Sequence, residues 1–365
     1  MRPTIREVAR EAGVSIATVS HALSGKRPVS GATRRRIKSA ARRLGYRPNQ
    51  VAASMITGRT QTLGVIVPDI ANPFFSGLVH AAEVAAAGRG YTVVVCTAEL
   101  DPALETRHVE VLHDKRVDGL LYLGGTDRTN RALRALAKAG TPIVALDEAL
   151  PFLPRSASLV TVDNEEGGRL AARHLLQLGH TELGVVTGPS GLPTARARLQ
   201  GFAEAAGDAD LRPQQCRVRY AEAYTLAAGR AAAADLLARE PDVTGLFCAN
   251  DLMALGAVEA ACELALDVPR DLSVVGFDDI FVSALVSPPL TTVRQPLVQL
   301  GKEAAELAIA LIEQEVAGPD RRMLPVELVV RDSTAKKATR RGVLAVAKTL
   351  EEETHGINRR RSQGG

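Results

Sequence analysis

The chain has 365 residues, of which 46% are hydrophobic, enough to bury more than one core, so two or three domains are expected. No apolar run of about eighteen residues is free of charge, and the stretch from Met1 to Glu7 has no apolar core. A membrane span and a signal peptide are therefore not expected, and the cytosol is the natural compartment. The net charge of +4 is unevenly spread: residues 1–60 carry thirteen Lys/Arg against two Asp/Glu, residues 336–365 carry eight against three, and −12 is left for 61–335. A basic head on an acidic body points to a polyanionic partner for the head, although a solvated charged face would give the same balance. Cys96, Cys216, Cys248 and Cys262 lie far apart, without CxxC or Cys/His ligand spacing, and read as reduced thiols packed as small hydrophobes. No metal and no cofactor is expected.

In chain order, Thr4 and Glu7 have capping-box spacing, and Ile5, Val8, Ala9 and Ala12 fall on one helical face ahead of Gly13. Ser15 caps a second predicted helix, Ile16 to Leu23, with Val19 and Leu23 inward. A short helix, a glycine turn and a second short helix form the helix-turn-helix pattern, whose second helix enters the major groove. Ser30 starts a third helix to about Leu44, with Ile37, Ala40, Ala41 and Leu44 inward and arginines over much of the rest.

The segments TIREVAREAGVSIATVSHALSG, RPVS, GYRPNQVAASM and GVIVPDIANPFF closely resemble the lactose-repressor/galactose-repressor family, and the resemblance runs from Thr4 to about Thr334. It implies base readout by Ile16, Ala17 and His21: apolar contact with thymine methyls from the first two, donation to guanine N7 or O6 from the histidine. Thr4, Ser15, Thr18, Ser20, Ser24, Arg27 and Ser30 are then placed for phosphates, which position the domain without reading sequence. The expected partner is a near-palindromic double-stranded operator, bound as a homodimer.

Pro48 ends the third helix, and Asn49 can cap a short hinge segment, residues 48–60, that is marginal as an isolated helix. The resemblance implies that two such segments pair in the minor groove. Ala52 is then small enough for close approach, and Met55 stands where relatives wedge a leucine into the central base step.

From Leu63 onward, short apolar runs alternate with amphipathic helical stretches in two series, as in parallel sheets covered on both faces. The fold expected is an α-helical helix-turn-helix headpiece (1–47) plus an α/β body (61–334) of two doubly wound parallel-sheet lobes. The resemblance implies a periplasmic-binding-protein-like body whose chain crosses between lobes near 160, 290 and 320. That puts about 61–160 and 291–320 in the first lobe, and about 161–290 and 321–334 in the second.

Polar residues that interrupt strand ends mark a crevice: Asp69, Asn72 and Phe74, then Asp147, Thr194 and Arg198, then Asn250 and Asp278. Singly, such residues are better explained as helix caps, Asp163, Asn164, Asn250 and Asp251 above all. Together, carboxylates and amides around one arginine and an aromatic ring suit a polyhydroxylated ligand. The resemblance matches Arg198 and Asp278 to effector-pocket positions, and Leu192 to a position that is basic in purine-binding relatives, which favours a sugar or related polyol as effector.

Residues 335–365 exceed the family body. Val343, Leu344, Ala347 and Leu350 make about one heptad, too little for a coiled coil, and disorder is expected there. Enzymes fare badly: Gly188-Pro-Ser-Gly191 lacks the Lys-Ser/Thr of a P-loop, and neither a Gly-x-Ser-x-Gly elbow nor HExxH is present. A transport receptor would share the body but has no use for the basic head. The expectation is an allosteric transcription regulator of repressor type, with a protein corepressor as the variant to a small effector.

Overall fold

The computed structural model describes residues 3–24, 28–46, 58–99, 101–124, 130–149, 157–212 and 215–337. Arg27, Asn49, Ala52, Met55 and residues 338–365 lie outside them, as does the side chain of Ser24. The chain divides into two compact units at Thr62/Leu63.

The described residues of the first unit form α1 (Ile5–Ala12), α2 (Ile16–Ser24) and α3 (Gly31–Leu44). Glu7 accepts from the Thr4 backbone N–H at 2.6 Å, so the capping box forms as its spacing predicts. Gly13 ends α1 at φ +58°, a left-handed position that costs glycine nothing. Ser15 and Ser30 cap the next two helices by accepting from the N–H groups of Thr18 and Thr33. The core is Val8, Ala9, Ala12, Val19, Ala22, Ile37, Ala40 and Ala41. Ala22, not the expected Leu23, is the second fully buried residue of α2; Leu23 and Leu44 only pack against the cluster.

The second unit contains two six-stranded sheets. The first takes β1 (Thr62–Val67), β2 (Thr92–Thr97), β3 (Gly119–Tyr122), β4 (Ile143–Leu146), β5 (Ser158–Val162) and β11 (Arg321–Leu324), in the order β11-β5-β4-β3-β1-β2. One face is covered by α4 (Pro73–Gly88) and α11 (Leu297–Glu313), the other by α5 (Pro102–Asp114) and α6 (Arg131–Lys138). The second sheet takes β6 (Leu183–Thr187), β7 (Cys216–Tyr220), β8 (Gly245–Cys248), β9 (Ser273–Asp278), β10 (Thr291–Arg294) and β12 (Glu327–Val329), in the order β12-β10-β9-β8-β6-β7. Its covering helices are α7 (Asn164–Gln177) with α8 (Pro193–Asp208), and α9 (Leu226–Arg239) with α10 (Asp251–Glu263). The paired registers are parallel except for β10 with β12.

These registers shift the expected lobe crossings. β5 and β11 both pair within the first sheet, and β10 pairs within the second. The crossings therefore fall after Val162, after Arg294 and after Leu324, a few residues beyond the expected 160, 290 and 320. Residues 291–294 belong to the second lobe and 321–324 to the first, the reverse of the expectation. Asp163 N–H donates to the Leu324 carbonyl at 3.0 Å, so two of the crossings are bonded to each other.

Helix pairs on one face approach closely where glycine removes the side chain. A Cβ at Gly201 of α8 would lie 1.8 Å from the Glu165 carbonyl oxygen of α7, and one at Gly168 would lie 2.0 Å from the Arg198 carbonyl oxygen. Gly201→Ala is expected to push α7 from α8 and destabilise the body by about 1–3 kcal/mol, the usual cost of overpacking. Urea unfolding followed by circular dichroism measures it; an unmoved midpoint for the body transition would show that this contact is not rigid.

Candidate functional site

In the first unit, the small core fixes which side of α2 faces water. Val19 and Ala22 point inward, while Ile16, Ala17 and Ser20 are exposed and His21 is half-buried. Ile16 is 45% exposed at the first position of the helix, a large apolar side chain offered to solvent by a basic domain. Thr4, Ser15 and Ser30 are exposed at helix starts, and Thr18 is half-buried beside Ser15. Backbone N–H groups and hydroxyls at such starts suit phosphate oxygens.

In the second unit, Asp69, Asn72, Phe74, Asp147, Thr194, Arg198, Asn250 and Asp278 all line one cleft between the lobes, enclosing about 710 Å³ with its mouth included. They converge because each follows the carboxyl end of a parallel strand, where a doubly wound sheet leaves a crevice. Pro189, Leu192, Phe75, Tyr224 and Glu148 also contribute to the walls.

Arg198 is the centre of the site. It is 3% exposed, its guanidinium lies 3.8 Å from the centroid of the Phe277 ring, and its Nε donates to Asn164 Oδ1 at 2.7 Å. Nη1 donates to the Ala249 carbonyl at 2.6 Å. Asp147 and Asp278 approach at 3.9 and 3.8 Å, ion-pair contacts rather than hydrogen bonds, so they balance the charge and leave N–H groups for another acceptor. Burial raises the pKa of both carboxyls, Asp278 well above its usual range, and Arg198 opposes the rise in each. Asp147 Oδ1 and the Tyr224 hydroxyl are both buried without a hydrogen bond of good geometry. The two atoms face the cleft from opposite lobes, where they can meet a polar ligand.

Asn72 caps α4 through Phe74 N–H, and Asn250 caps α10 through Met253 N–H while its amide N–H₂ donates to the Tyr224 carbonyl at 3.4 Å. The Phe74 ring does not offer an open face: it is 3% exposed and packed edge-on against Phe75 within the first-lobe core. Asp163 caps α7 as expected. Asn164 and Asp251 do not cap. Asn164 orients Arg198, and Asp251, fully buried, accepts from Ile280 N–H and from the Ser283 and Thr292 hydroxyls. Burial pushes Asp251 up to about 7 against those hydrogen bonds.

Sequence reading missed Tyr224 and Glu148. Tyr224 is seated by Gly188, where a Cβ would lie 2.4 Å from its ring. Glu148 accepts from Thr194 N–H at 3.0 Å and Thr194 Oγ1 at 2.6 Å; burial and neighbouring Asp147 push it to about 7. The signal available for it was a second acid directly after Asp147 at a strand end. Among the described residues no cluster of His, Cys, Asp or Glu could hold a metal ion, and no helix is long and apolar enough to cross a membrane.

A basic helix-turn-helix unit followed by a two-lobed cleft protein is the layout of a ligand-responsive regulator. Residues 4–49 match the bacterial regulatory proteins of the lacI family, and residues 172–334 match the periplasmic binding protein-like domain. The HTH-type transcriptional repressor PurR of Aliivibrio salmonicida is 36% identical over 91% of this chain and 99% of its own length. Among solved structures, a complex of the transcriptional regulator CelR with cellobiose is 36% identical with a TM-score of 0.71, covering 91% of this chain and 100% of that one. The lac repressor dimer bound to operator and the anti-inducer ONPF is 29% identical with a TM-score of 0.79, covering 92% and 100%. The chain belongs to the lacI family and is a helix-turn-helix transcriptional regulator, not an enzyme.

Asp251→Ala leaves three donors near the end of β9 unpaired and is expected to destabilise the body by roughly 2–4 kcal/mol in chemical denaturation. A change below about 0.5 kcal/mol would show that this buried acid does not hold the segment after β9.

Proposed function

We propose that this regulator is a cytosolic repressor that binds a near-palindromic operator as a homodimer and is controlled by a sugar or related polyol held in the inter-lobe cleft. The observation that carries the reading is the convergence, in one cleft, of a buried arginine with spare N–H groups, an Asp147 oxygen without a hydrogen bond and the Tyr224 hydroxyl. A ligand rich in hydroxyl groups satisfies donors and acceptors together, which a purely apolar ligand does not. Similarity to a regulator solved with cellobiose supports this class, and buried Leu192 leaves its part of the wall apolar. A second copy of the chain would cover apolar side chains left exposed on the body, Phe281 and Leu285 on one lobe and Val84 on the other. Similarity to the lac repressor dimer supports that assembly. Effector and operator binding are then reciprocally coupled, by about 1–3 kcal/mol in typical cases.

Thermal-shift screening of the full chain against sugars, polyols and nucleosides tests the ligand class; stabilisation by nucleosides alone would overturn it. With the effector found, Arg198→Ala is expected to abolish its effect on operator affinity while leaving effector-free operator binding intact. An effect of the effector on operator affinity that survives the substitution would remove Arg198 from the ligand site.

For the head, operator selection from a random duplex pool supplies the site. Ile16→Ala and His21→Ala are expected to relax base preference by about 1–3 kcal/mol at the contacted positions with little change in salt slope. A changed salt slope with intact preference would reassign those side chains to phosphate contacts.

A further inference from the structure

Helix α8 begins with an anomaly. Its N-cap residue is Leu192, which has no side-chain acceptor, and Pro193 follows, so the first free N–H to need a partner is that of Thr194. That partner comes from the other lobe: Glu148, after β4, accepts from Thr194 N–H through Oε1 and from the Thr194 hydroxyl through Oε2. Asp147, its neighbour, holds φ +68° and faces Arg198 of the same helix at 3.9 Å. Thr194 and Arg198 are four residues apart, on one face of α8. Two consecutive acids of the first lobe thus grip two successive turns of the second, and the pair is buried, with Glu148 5% exposed.

We propose that Glu148 is a positioning residue: it supplies the missing N-cap of α8 across the cleft, clasps the two lobes together, and makes cleft closure depend on a proton. The inference concerns lobe closure and stands whichever ligand the cleft takes.

The charged and titratable groups around Glu148 are Asp147 beside it, Arg198 on α8, Tyr224 after β7, Asp278 at the end of β9, and Asp69 after β1 on the cleft wall. Burial and Asp147 raise its pKa to about 7, whereas in an open, wetted cleft it returns to the ordinary carboxylate value near 4.5. The clasped state therefore binds the proton more tightly, and acidification favours it. Its advantage is gained as pH falls from about 7 toward 4.5 and is lost as pH rises through 7. Protonation does not break the bridge. With the proton on Oε2, the Thr194 hydroxyl becomes the acceptor while Oε1 keeps the backbone N–H. A glutamine, with its N–H₂ in place of that proton, reproduces the same pair of bonds without a charge.

Hydrogen exchange at the Thr194 amide of the full-length protein tests the clasp directly, expressed as protection relative to the intrinsic rate at each pH. In the wild type, protection is expected to rise about tenfold from pH 8 to pH 6. Glu148→Gln is expected to hold the pH 6 level across that range, and Glu148→Ala to be poorly protected throughout, with unchanged circular dichroism. A glutamine variant that keeps the wild-type pH profile would overturn the proton linkage, and an alanine variant as protected as wild type would overturn the clasp. Should the alanine variant fail to fold, the comparison of wild type with glutamine decides.

Discussion

A guanidinium that is almost wholly removed from water must be compensated on every side, and the second lobe is organised around doing so for Arg198. Phe277 takes one face of the group, Asn164 and the Ala249 carbonyl take two of its donors, and Asp147 and Asp278 balance the charge. The compensating groups come from four parts of the chain: the start of α7, the ends of β8 and β9, and the loop after β4. The cation cannot be neutralised by losing its proton at any ordinary pH, so the requirement never relaxes. The close seating of α7 on α8 through Gly168 and Gly201 follows from it, because the helix that carries Arg198 must lie near the one that carries Asn164. An imperfectly satisfied cation between acids also leaves hydrogen-bonding capacity on the cleft wall.

The head solves the opposite problem. Its core consists of small and medium aliphatic side chains, among them five alanines, and is closed by backbone caps rather than by bulk. Little of the surface is spent on packing, so α2 can present Ile16, Ala17 and Ser20 outward without loss of fold. An exposed isoleucine there is a modest liability in water and an asset against a methyl group in a groove.

Much of this was legible in the chain because the signals are local. Capping spacing at Thr4 and Ser30, the glycine after α1, and apolar runs bounded by turns place the head helices and most of the body strands. What escaped depends on distant pairing. The Arg321–Leu324 strand is mostly exposed and carries no alternation, so its membership of the first sheet is decided only by its register with β5. Asn164 and Asp251 have the sequence form of caps, yet their side chains turn to tertiary partners that no local pattern announces. Glu148 was hidden for the same reason, since Thr194 lies 46 residues away in sequence. The seven polar positions expected in the crevice line the cleft, and strand-end polarity is itself a local signal.

The staggered crossings have an evolutionary corollary. The segments Arg321–Leu324 and Glu327–Val329 sit a few residues apart, yet they complete the edges of different sheets. No single cut within the body therefore separates one lobe from the other, and a lobe exchanged between relatives must be spliced at three junctions at once. The head is joined at one. Recombination can thus give an old sensor a new address on the genome in one event, whereas the ligand cleft has to change by substitution within the walls it already has.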